Sequence, residues 1–312
     1  MVKKDNFSQF VQQHLLPFVE KFPIQYIEAN QQKKIAFRYF THQTHQKLIV
    51  LVNGRAENIL KWSEVAYDFY QQGFDVLLFD HRGQGFSDRL LKDREKGYID
   101  RFQYYLDDMD LVIQTVLQQK VYAKQYLLAH SMGGLISTCY LAKYPHQFNK
   151  VILSAPFWGL PQKTVKRDEI IVAIMTLLGF SQHYVFGKGA YKAADLATTP
   201  LSHSTERMAF MNEIAEKYPN VRLGGPTFSW VHHCIIMFAK LKGFIAKITV
   251  PTLILRAGQD LIVSNTAINE FSNYFSDVIL KNIEKSKHEI LFETDEIRQS
   301  AFKEIMAFLA KD

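Results

Sequence analysis

Short apolar runs alternate with longer amphipathic stretches from residue 47 to the end of the chain, and this alternation leaves few folds open. Such runs are typical of buried parallel strands, and the stretches between them are typical of helices packed on a sheet. The predicted strands cover residues 47–54, 74–81, 124–131, 150–156, 251–258 and 277–283. The sequence therefore predicts an α/β fold with a mostly parallel sheet flanked by helices.

Helices are predicted between these strands, and the alternation fails in one block. The helix candidates cover residues 60–72, 103–119, 133–144, 264–275 and 295–310. Upstream, "IQYIEAN" and "KIAFRYF" are compatible with a hairpin at the sheet edge. Residues 157–235 lack clear strands, so we interpret them as a helical cap insertion, with residues 1–156 and 236–312 forming the core.

Composition indicates a globular chain with a large core. Of 312 residues, 47% are hydrophobic and 22% are charged, and the two cysteines, Cys139 and Cys234, do not suggest a disulfide framework. The formal net charge of +6 favours an anionic partner. Because Lys and Arg are scattered rather than gathered in a block, a membrane surface rich in acidic lipids is favoured over nucleic acid.

Two segments carry concentrated apolar surface. Five residues share one face of a predicted N-terminal helix, although Pro17 disturbs its end: Phe7, Phe10, Val11, Leu15 and Phe18. Packing on the core and docking to a membrane both fit this face. In the insertion, apolar residues crowd nearly all sides of a short helix: Ile170, Ile171, Ile174, Met175, Leu177, Leu178 and Phe180. These residues would face lipid, line a tunnel or pack on the core. The run containing them is shorter than the roughly 20 residues of a membrane-spanning helix.

The stretch "LLAHSMGGLIS" places Ser131 between an apolar strand and the start of a helix. A serine hydroxyl becomes a useful nucleophile only with an adjacent base and with donors for the developing oxyanion. The nucleophile elbow has the pattern G-x-S-x-G because its strained turn tolerates only small residues on either side. Here Ala129 takes the first glycine position, and Gly133 takes the second. We interpret Ser131 as a nucleophile, against the alternative of an ordinary strand-to-helix turn.

The elbow predicts an acid and then a histidine later in the chain. Asp260 follows the strand at 251–258, and His288 lies in the loop before the final helix. Both positions lie where the carboxyl ends of parallel strands gather functional groups. We expect Asp260 to orient the imidazole of His288, which would take the proton of Ser131.

Other acids and histidines fit these roles less well. Asp277 begins a strand and Asp295 begins a helix, where capping explains a carboxylate. His203, His232 and His233 lie in the insertion. The sequence "VHHC" suggests metal ligands, but neighbouring residues of one helix point apart, so a zinc site is not predicted.

The predicted oxyanion hole uses the main-chain N–H groups of Met132 and Arg55. Arg55 lies in the loop after the first strand, beside Gly54, which permits a close approach. Its side chain would meet an anionic head group or form a surface salt bridge. The glycine-rich stretch "DHRGQGFSD" lacks the third glycine of a dinucleotide site and the Gly-Lys-Ser/Thr of a phosphate loop. A structural turn beside the site is therefore predicted there.

Four motifs, "HRGQGFSD", "LAHSMGG", "GQDLIV" and "KHEIL", in this order and spacing resemble the α/β-hydrolases of the monoacylglycerol lipase and lysophospholipase group. The resemblance covers nearly the whole chain and is loosest in the N-terminal segment and the insertion. It departs from the family at Asn53, where a histidine is usual. The site residues that it implies are Ser131 as nucleophile, Asp260 as acid, His288 as base, and Arg55 and Met132 as oxyanion donors.

This resemblance implies hydrolysis of the single acyl ester of a lysophospholipid, through an acyl-enzyme and without a metal or organic cofactor. It also implies that the insertion forms an acyl tunnel, and that the protein associates peripherally with the cytoplasmic face of the inner membrane. A monoacylglycerol lipase or a general carboxylesterase would use the same residues. A peptidase or acyltransferase is less favoured. A non-catalytic lipid-binding protein is disfavoured because each catalytic position is retained.

Overall fold

The structure, a computed structural model, describes residues 6–160 and 165–311. The strands of these residues form one eight-stranded sheet in the order β1-β2-β4-β3-β5-β6-β7-β8. Their bounds are β1 Gln25–Ala29, β2 Lys33–Phe40, β3 Lys47–Val52, β4 Phe74–Phe79, β5 Lys124–His130, β6 Phe148–Ser154, β7 Thr252–Ala257 and β8 Val278–Ile283. Strands β3 to β8 run parallel, whereas β1 and β2 form an antiparallel hairpin at one edge. The predicted α/β fold and hairpin are therefore confirmed.

Eleven α-helices lie within the described residues, several of them packed against this sheet. They are α1 Phe7–Phe10, α2 Leu16–Glu20, α3 Ser63–Gln71, α4 Gln103–Leu117, α5 Met132–Lys143, α6 Val165–Met175, α7 Thr205–Lys217, α8 Phe228–Phe238, α9 Leu241–Ile245, α10 Asn265–Ser272 and α11 Asp295–Ala310. Each of the five helices predicted from the sequence is present within a few residues of its expected bounds. In α11, the predicted face is buried at Ala301, Ile305 and Phe308.

Continuous apolar runs form the central strands because both faces of a parallel sheet are covered. All six residues of β4 are buried, and in β3 only Lys47 at its start is exposed. Successive side chains of a strand point to opposite faces, so complete burial means that protein covers each face. The carboxyl ends of β3 to β8 then meet at one edge of the sheet, where the loops after them converge.

The N-terminal segment packs onto the core. It consists of α1, a π-helical turn over Val11–Leu15, and α2. Phe7, Val11, Leu15 and Phe18 are buried, and the Phe18 ring stacks on Phe40 with 5.0 Å between ring centroids. Pro17 lies in the first turn of α2, directly after the π-helical turn, in which Leu16 N donates to the Val11 carbonyl oxygen. The predicted apolar face is therefore occupied by the core, which leaves it no room to dock to a membrane.

The block predicted as an insertion contains α6, α7 and most of α8, and its described residues form no strand, only isolated bridges such as Tyr184 with Thr227. Its expected end at residue 235 lies inside α8, which begins at a cap where Thr227 Oγ1 accepts from Trp230 N. Sequence periodicity could not place this boundary because an apolar helix continues through it.

Apolar side chains of α6 and the turn after it face solvent. Leu177 is 87% exposed, and Leu178, Ile170, Ile174 and Phe180 are exposed as well. Within residues 6–160 and 165–311, no helix combines the length and the hydropathy needed to cross a bilayer. Cys139 and Cys234 are free and buried.

Candidate active site

The turn at Ser131 joins β5 to α5 at the carboxyl edge of the sheet. Ser131 has φ of 51°, in the left-handed region that is strained for residues other than glycine. A Cβ added to Gly133 would lie 2.3 Å from the carbonyl oxygen of Val52, so only glycine fits there. Ala129 precedes the turn within β5 and is fully buried opposite Val52. This regular strand position accommodates the methyl group of Ala129. The chain can therefore have alanine where the G-x-S-x-G pattern has its first glycine.

The three side chains predicted to work together form one hydrogen-bonded series. His288 Nε2 lies 3.0 Å from Ser131 Oγ, and His288 Nδ1 lies 2.8 Å from Asp260 Oδ2. The other carboxylate oxygen, Oδ1, accepts the main-chain N–H groups of Ile262 at 2.8 Å and Val263 at 3.0 Å. Asp260 is thereby fixed after β7, and His288 lies in the loop after β8.

The electrostatics of this series favour a neutral imidazole beside an ionised carboxylate. Burial opposes the charged form of Asp260, but the hydrogen bond from His288 and the two main-chain donors hold the pKa of that carboxyl below its usual range. Burial lowers the pKa of His288, and the contribution of Asp260 does not fully offset this. A neutral imidazole that accepts at Nε2 is able to take a proton from the serine hydroxyl.

The rival acids are engaged elsewhere. Asp295 begins α11 and pairs with Arg207 at 2.7 Å. The carbonyl oxygen of Asp277 accepts the main-chain N–H of Thr252 at the start of the neighbouring strand. Neither carboxylate is hydrogen-bonded to His288, whose Nδ1 partner is Asp260.

The histidines of the insertion are also separate from Ser131. His203 Nδ1 contacts Glu293 Oε1 at 2.9 Å, and the rings of His232 and His233 lie 5.9 Å apart between centroids. Within the part of the chain that the structure describes, no group of three or more His, Cys, Asp and Glu side chains could hold a metal ion.

The loop after β3 lies against the serine turn. A Cβ added to Gly54 would lie 3.2 Å from Ser131 Cβ, so a side chain at this position would crowd the site. Gln84 fixes the loop, because its Nε2 donates to the Gly54 carbonyl at 2.8 Å. Among the described residues, the main-chain N–H groups of Arg55 and Met132 have no acceptor. Both predicted oxyanion donors are therefore free to bind a ligand oxygen.

Asn53 takes over the hydrogen bonding at the position where the family usually has a histidine. Its Nδ2 donates to Asp80 Oδ1 at 2.9 Å, and its carbonyl oxygen lies 3.1 Å from His81 Nε2. Asp80 Oδ2 accepts from Phe86 N, and a Cβ on Gly85 would lie 2.1 Å from that oxygen. Burial raises the pKa of Asp80 to about 7. The stretch "DHRGQGFSD" is thus a tight structural turn. It supports residues 53–57 after β3, called the oxyanion loop because they include the predicted donor Arg55.

A buried charge cluster lies directly behind the site, and the sequence reasoning missed it. Lys61 Nζ contacts Glu57 Oε1 at 2.5 Å and Glu289 Oε1 at 2.6 Å. His130 Nδ1 lies 3.2 Å from Glu57 Oε2, and His130 Nε2 lies 3.3 Å from the His288 carbonyl oxygen. We call Glu57, Lys61, His130 and Glu289 the buried charge cluster. His130 and Glu289 neighbour Ser131 and His288 along the chain, but no spacing rule pairs Lys61 with Glu289 across 228 positions.

Mutual attraction opposes the effect of burial on Glu57, Lys61 and His130. Burial favours the neutral forms, but the contacts with Lys61 and His130 hold the pKa of Glu57 far below its usual range. Likewise, the carboxylates raise the pKa of Lys61 and of His130 against the effect of burial. The positive charge that His130 carries when protonated contributes to the lowered pKa of the adjacent His288. The cluster therefore contacts the main chain of His288 and also lowers the pKa of its imidazole.

A mostly parallel sheet that carries a serine on a strained turn, hydrogen-bonded to a histidine beyond the last strand, defines an α/β-hydrolase. Residues 43–295 match the family model described as serine aminopeptidase, S33, and the chain belongs to this family of hydrolases.

Sequence relatives extend over the same region. The chain is 47% identical over 311 residues to the "Probable lysophospholipase L2" of Haemophilus influenzae, covering 99% of each protein. It is 33% identical over 286 residues to the "Lysophospholipase L2" of Escherichia coli, covering 88% of this chain and 83% of that protein.

The fold is shared with solved structures. A soluble variant of monoglyceride lipase from Saccharomyces cerevisiae, in complex with a substrate analogue, superposes with a TM-score of 0.73 at 21% identity. The match covers 92% of this chain and 94% of that one.

Lys61→Met should unfold the protein more easily, because it leaves Glu57 and Glu289 buried without their shared cation. Breaking a buried ion pair by removing one partner costs about 3–5 kcal/mol. The matched control is Lys281→Met, which removes a half-exposed lysine paired with Glu304 and should cost less than about 1 kcal/mol. Urea unfolding of both variants measures the difference, and equal midpoints would show that the cluster adds no stability.

Proposed function

We propose that the protein is a serine hydrolase that cleaves the acyl ester of lysophospholipids, releasing a fatty acid and a glycerophospho-alcohol. The observation that carries this is the hydrogen-bonded series of Ser131, His288 and Asp260 beside two free main-chain donors. The 47% identity to a protein named as a probable lysophospholipase supports the choice of substrate.

In the first half of the reaction, Ser131 Oγ attacks the ester carbonyl carbon while His288 Nε2 takes the hydroxyl proton. The carbonyl oxygen becomes an oxyanion that accepts hydrogen bonds from the main-chain N–H groups of Arg55 and Met132. The tetrahedral intermediate then collapses, and His288 returns the proton to the departing glycerol oxygen. The acyl chain remains as an ester of Ser131. Asp260 keeps the imidazole in the tautomer that accepts at Nε2.

In the second half, water replaces the alcohol. His288 removes a proton from water, which attacks the acyl carbon and forms a second oxyanion at the same donors. Collapse breaks the bond to Ser131 Oγ, which recovers its proton from His288 and releases the fatty acid. No metal or organic cofactor takes part in these steps.

We further propose that residues 157–235 form a cap over the site and line an acyl tunnel. Its described residues include α6, α7 and most of α8 and form no strand, and the segment contacts the site region where the Leu201 carbonyl oxygen accepts from Glu289 N. A monoacylglycerol lipase or a general carboxylesterase is the competing assignment. Ser131, His288 and Asp260 would serve either enzyme equally well. The two assignments therefore differ in the substrate that is cleaved and not in the mechanism.

Peripheral binding to the anionic inner face of the cell membrane is the proposed mode of access to lipid. The exposed apolar residues of α6 and its following turn are the supporting observation, together with the formal net charge of +6. Leu177 and Leu178 would enter the interface while basic residues attract acidic head groups.

The proposed reaction is tested with the purified protein on lysophosphatidylethanolamine, lysophosphatidylcholine and monoacylglycerol of the same acyl chain. We expect the lysophospholipids to be hydrolysed faster. Ser131→Ala should lower kcat by at least about 10³-fold because it removes the nucleophile. It should also abolish labelling by a fluorophosphonate while the far-UV circular dichroism spectrum stays unchanged. Faster turnover of monoacylglycerol would overturn the substrate assignment, and labelling of Ser131→Ala would overturn the nucleophile.

The pH profile should reflect the lowered pKa of His288. The imidazole must be neutral to accept the proton, so activity is present above its pKa and lost as the pH falls through it. Because burial places this pKa below the ordinary value of 6.5, kcat/KM for a water-soluble ester should halve at a pH below 6.5. A fit of kcat/KM between pH 4 and 9 would contradict this if the acidic limb had its midpoint above 6.5.

Membrane binding is measured by sedimentation with vesicles of phosphatidylglycerol and phosphatidylethanolamine. Leu177→Ser should weaken binding by about 10-fold, since burial of a leucine side chain contributes about 1.5–3 kcal/mol. Val121→Ser is the matched control, because Val121 is 88% exposed but lies before β5, at the opposite edge of the sheet. Equal binding of the two variants would exclude the turn after α6 as the docking surface.

A further inference from the structure

The side chain of Arg55 lies beside the site without a carboxylate partner. Its Nη2 donates to the Gly224 carbonyl oxygen, and its Nε is buried with no hydrogen-bond partner. Among the described residues it forms no ion pair, whereas Arg82 contacts Asp108 at 2.6 Å. The surface salt bridge considered from the sequence is therefore absent from the described part of the chain.

The surroundings of this guanidinium are built to hold it in place. Its Cζ lies 5.4 Å from the centroid of the Trp230 ring. A Cβ on Gly97 would lie 2.8 Å from Nη2, so the guanidinium packs closely against this glycine. Gly97 is joined to the insertion, because its N–H donates to the Gly225 carbonyl at 3.1 Å and its carbonyl accepts from Thr227 N. The cation is thus fixed between the oxyanion loop and the insertion.

An unpaired cation in this environment is costly. Burial lowers the pKa of Arg55 to about 10, which still leaves the group charged at neutral pH. Buried charges are normally paired, and a guanidinium left with unsatisfied donors loses the hydration that its N–H groups have in water. Residue 55 as a whole is half-buried, which leaves part of it open to a ligand. The charge, the lack of a carboxylate partner and this partial exposure together fit an anionic group of the ligand.

We propose that the Arg55 guanidinium binds the phosphate of the lysophospholipid and so makes the enzyme prefer phospholipid esters to neutral glycerides. This proposal rests on the proposed ester hydrolysis and adds a residue that selects the substrate. A planar guanidinium matches phosphate oxygens with two parallel hydrogen bonds, which is why arginine is used for such groups. A monoacylglycerol has a hydroxyl at this position and would leave the charge unpaired.

The connectivity of the substrate is compatible with this role. In a lysophospholipid acylated on a terminal glycerol oxygen, two ester oxygens and three glycerol carbons separate the scissile carbonyl from phosphorus. In the protein both proposed contacts come from one residue, and Arg55 directly follows Gly54, which lies against Ser131. The N–H of Arg55 would bind the oxyanion while its side chain binds the phosphate of the same molecule.

The test compares kcat/KM for lysophosphatidylethanolamine and for a monoacylglycerol with the same acyl chain. In Arg55→Met the ratio of the two constants should fall by about 10- to 100-fold, as expected for loss of a hydrogen bond to a charged group. Arg55→Lys keeps the charge but not the paired donors, so its ratio should lie between those of Arg55→Met and the native protein. Arg94→Met removes an exposed arginine of a nearby loop and should leave the ratio unchanged.

A purely structural role for Arg55 would lower both constants together, so an unchanged ratio in either Arg55 variant would overturn the proposal. A second measurement uses the native protein and does not depend on how a variant folds. Glycerol 3-phosphate should inhibit hydrolysis of p-nitrophenyl butyrate competitively and at lower concentration than glycerol, and equal inhibition would also overturn it. If the native protein hydrolyses monoacylglycerol but no lysophospholipid, the proposed function fails, which is a different result from an unchanged ratio.

Discussion

The close approach of the serine turn to the end of β3 is the contact on which the site depends. Gly133 lies so near the Val52 carbonyl that any side chain would collide with it. This contact holds the start of α5 against the loop that begins at Asn53, and Ser131 takes its strained conformation between them. Backbone strain of this kind persists only where the surroundings fix it, and here the fully buried central strands do so. The position of the proposed nucleophile is thus set by packing of the sheet.

The geometry of the site depends on the buried charge cluster as well as on packing. Glu57 accepts the main-chain N–H of Gly54 and the indole N–H of Trp62, so one carboxylate joins the oxyanion loop to α3 and to His130. On the other side, His130 contacts the His288 carbonyl oxygen. In a low-dielectric interior these contacts are strong when complete and costly when broken. The orientation of His288, the proposed base, and the stability of the core therefore rest partly on the same four side chains.

Much of this arrangement follows from local patterns in the sequence. The strands were predictable because parallel strands buried on both faces require continuous apolar runs, and Ser131, Asp260 and His288 were predictable because each follows such a run. The buried charge cluster was not predictable, since the contact of Lys61 with Glu289 joins residues far apart in the chain. The predicted end of the insertion at residue 235 stays a prediction, although it lies inside α8, which continues to Phe238. Exposure of Leu177 likewise depends on how α6 packs, which helical periodicity does not determine.

Residue 55 connects the reacting end of the site with the part proposed to bind the head group. Its main chain belongs to a loop fixed by Gln84, and its side chain is held by Gly224 and Trp230 of the insertion. A phosphate bound there would be positioned relative to the oxyanion donors by a single side chain rather than by two independent elements. Such a link reduces the freedom of the bound ester, and orientation of this kind contributes to rate as well as to binding. The oxyanion loop would then both select the head group and align the scissile bond.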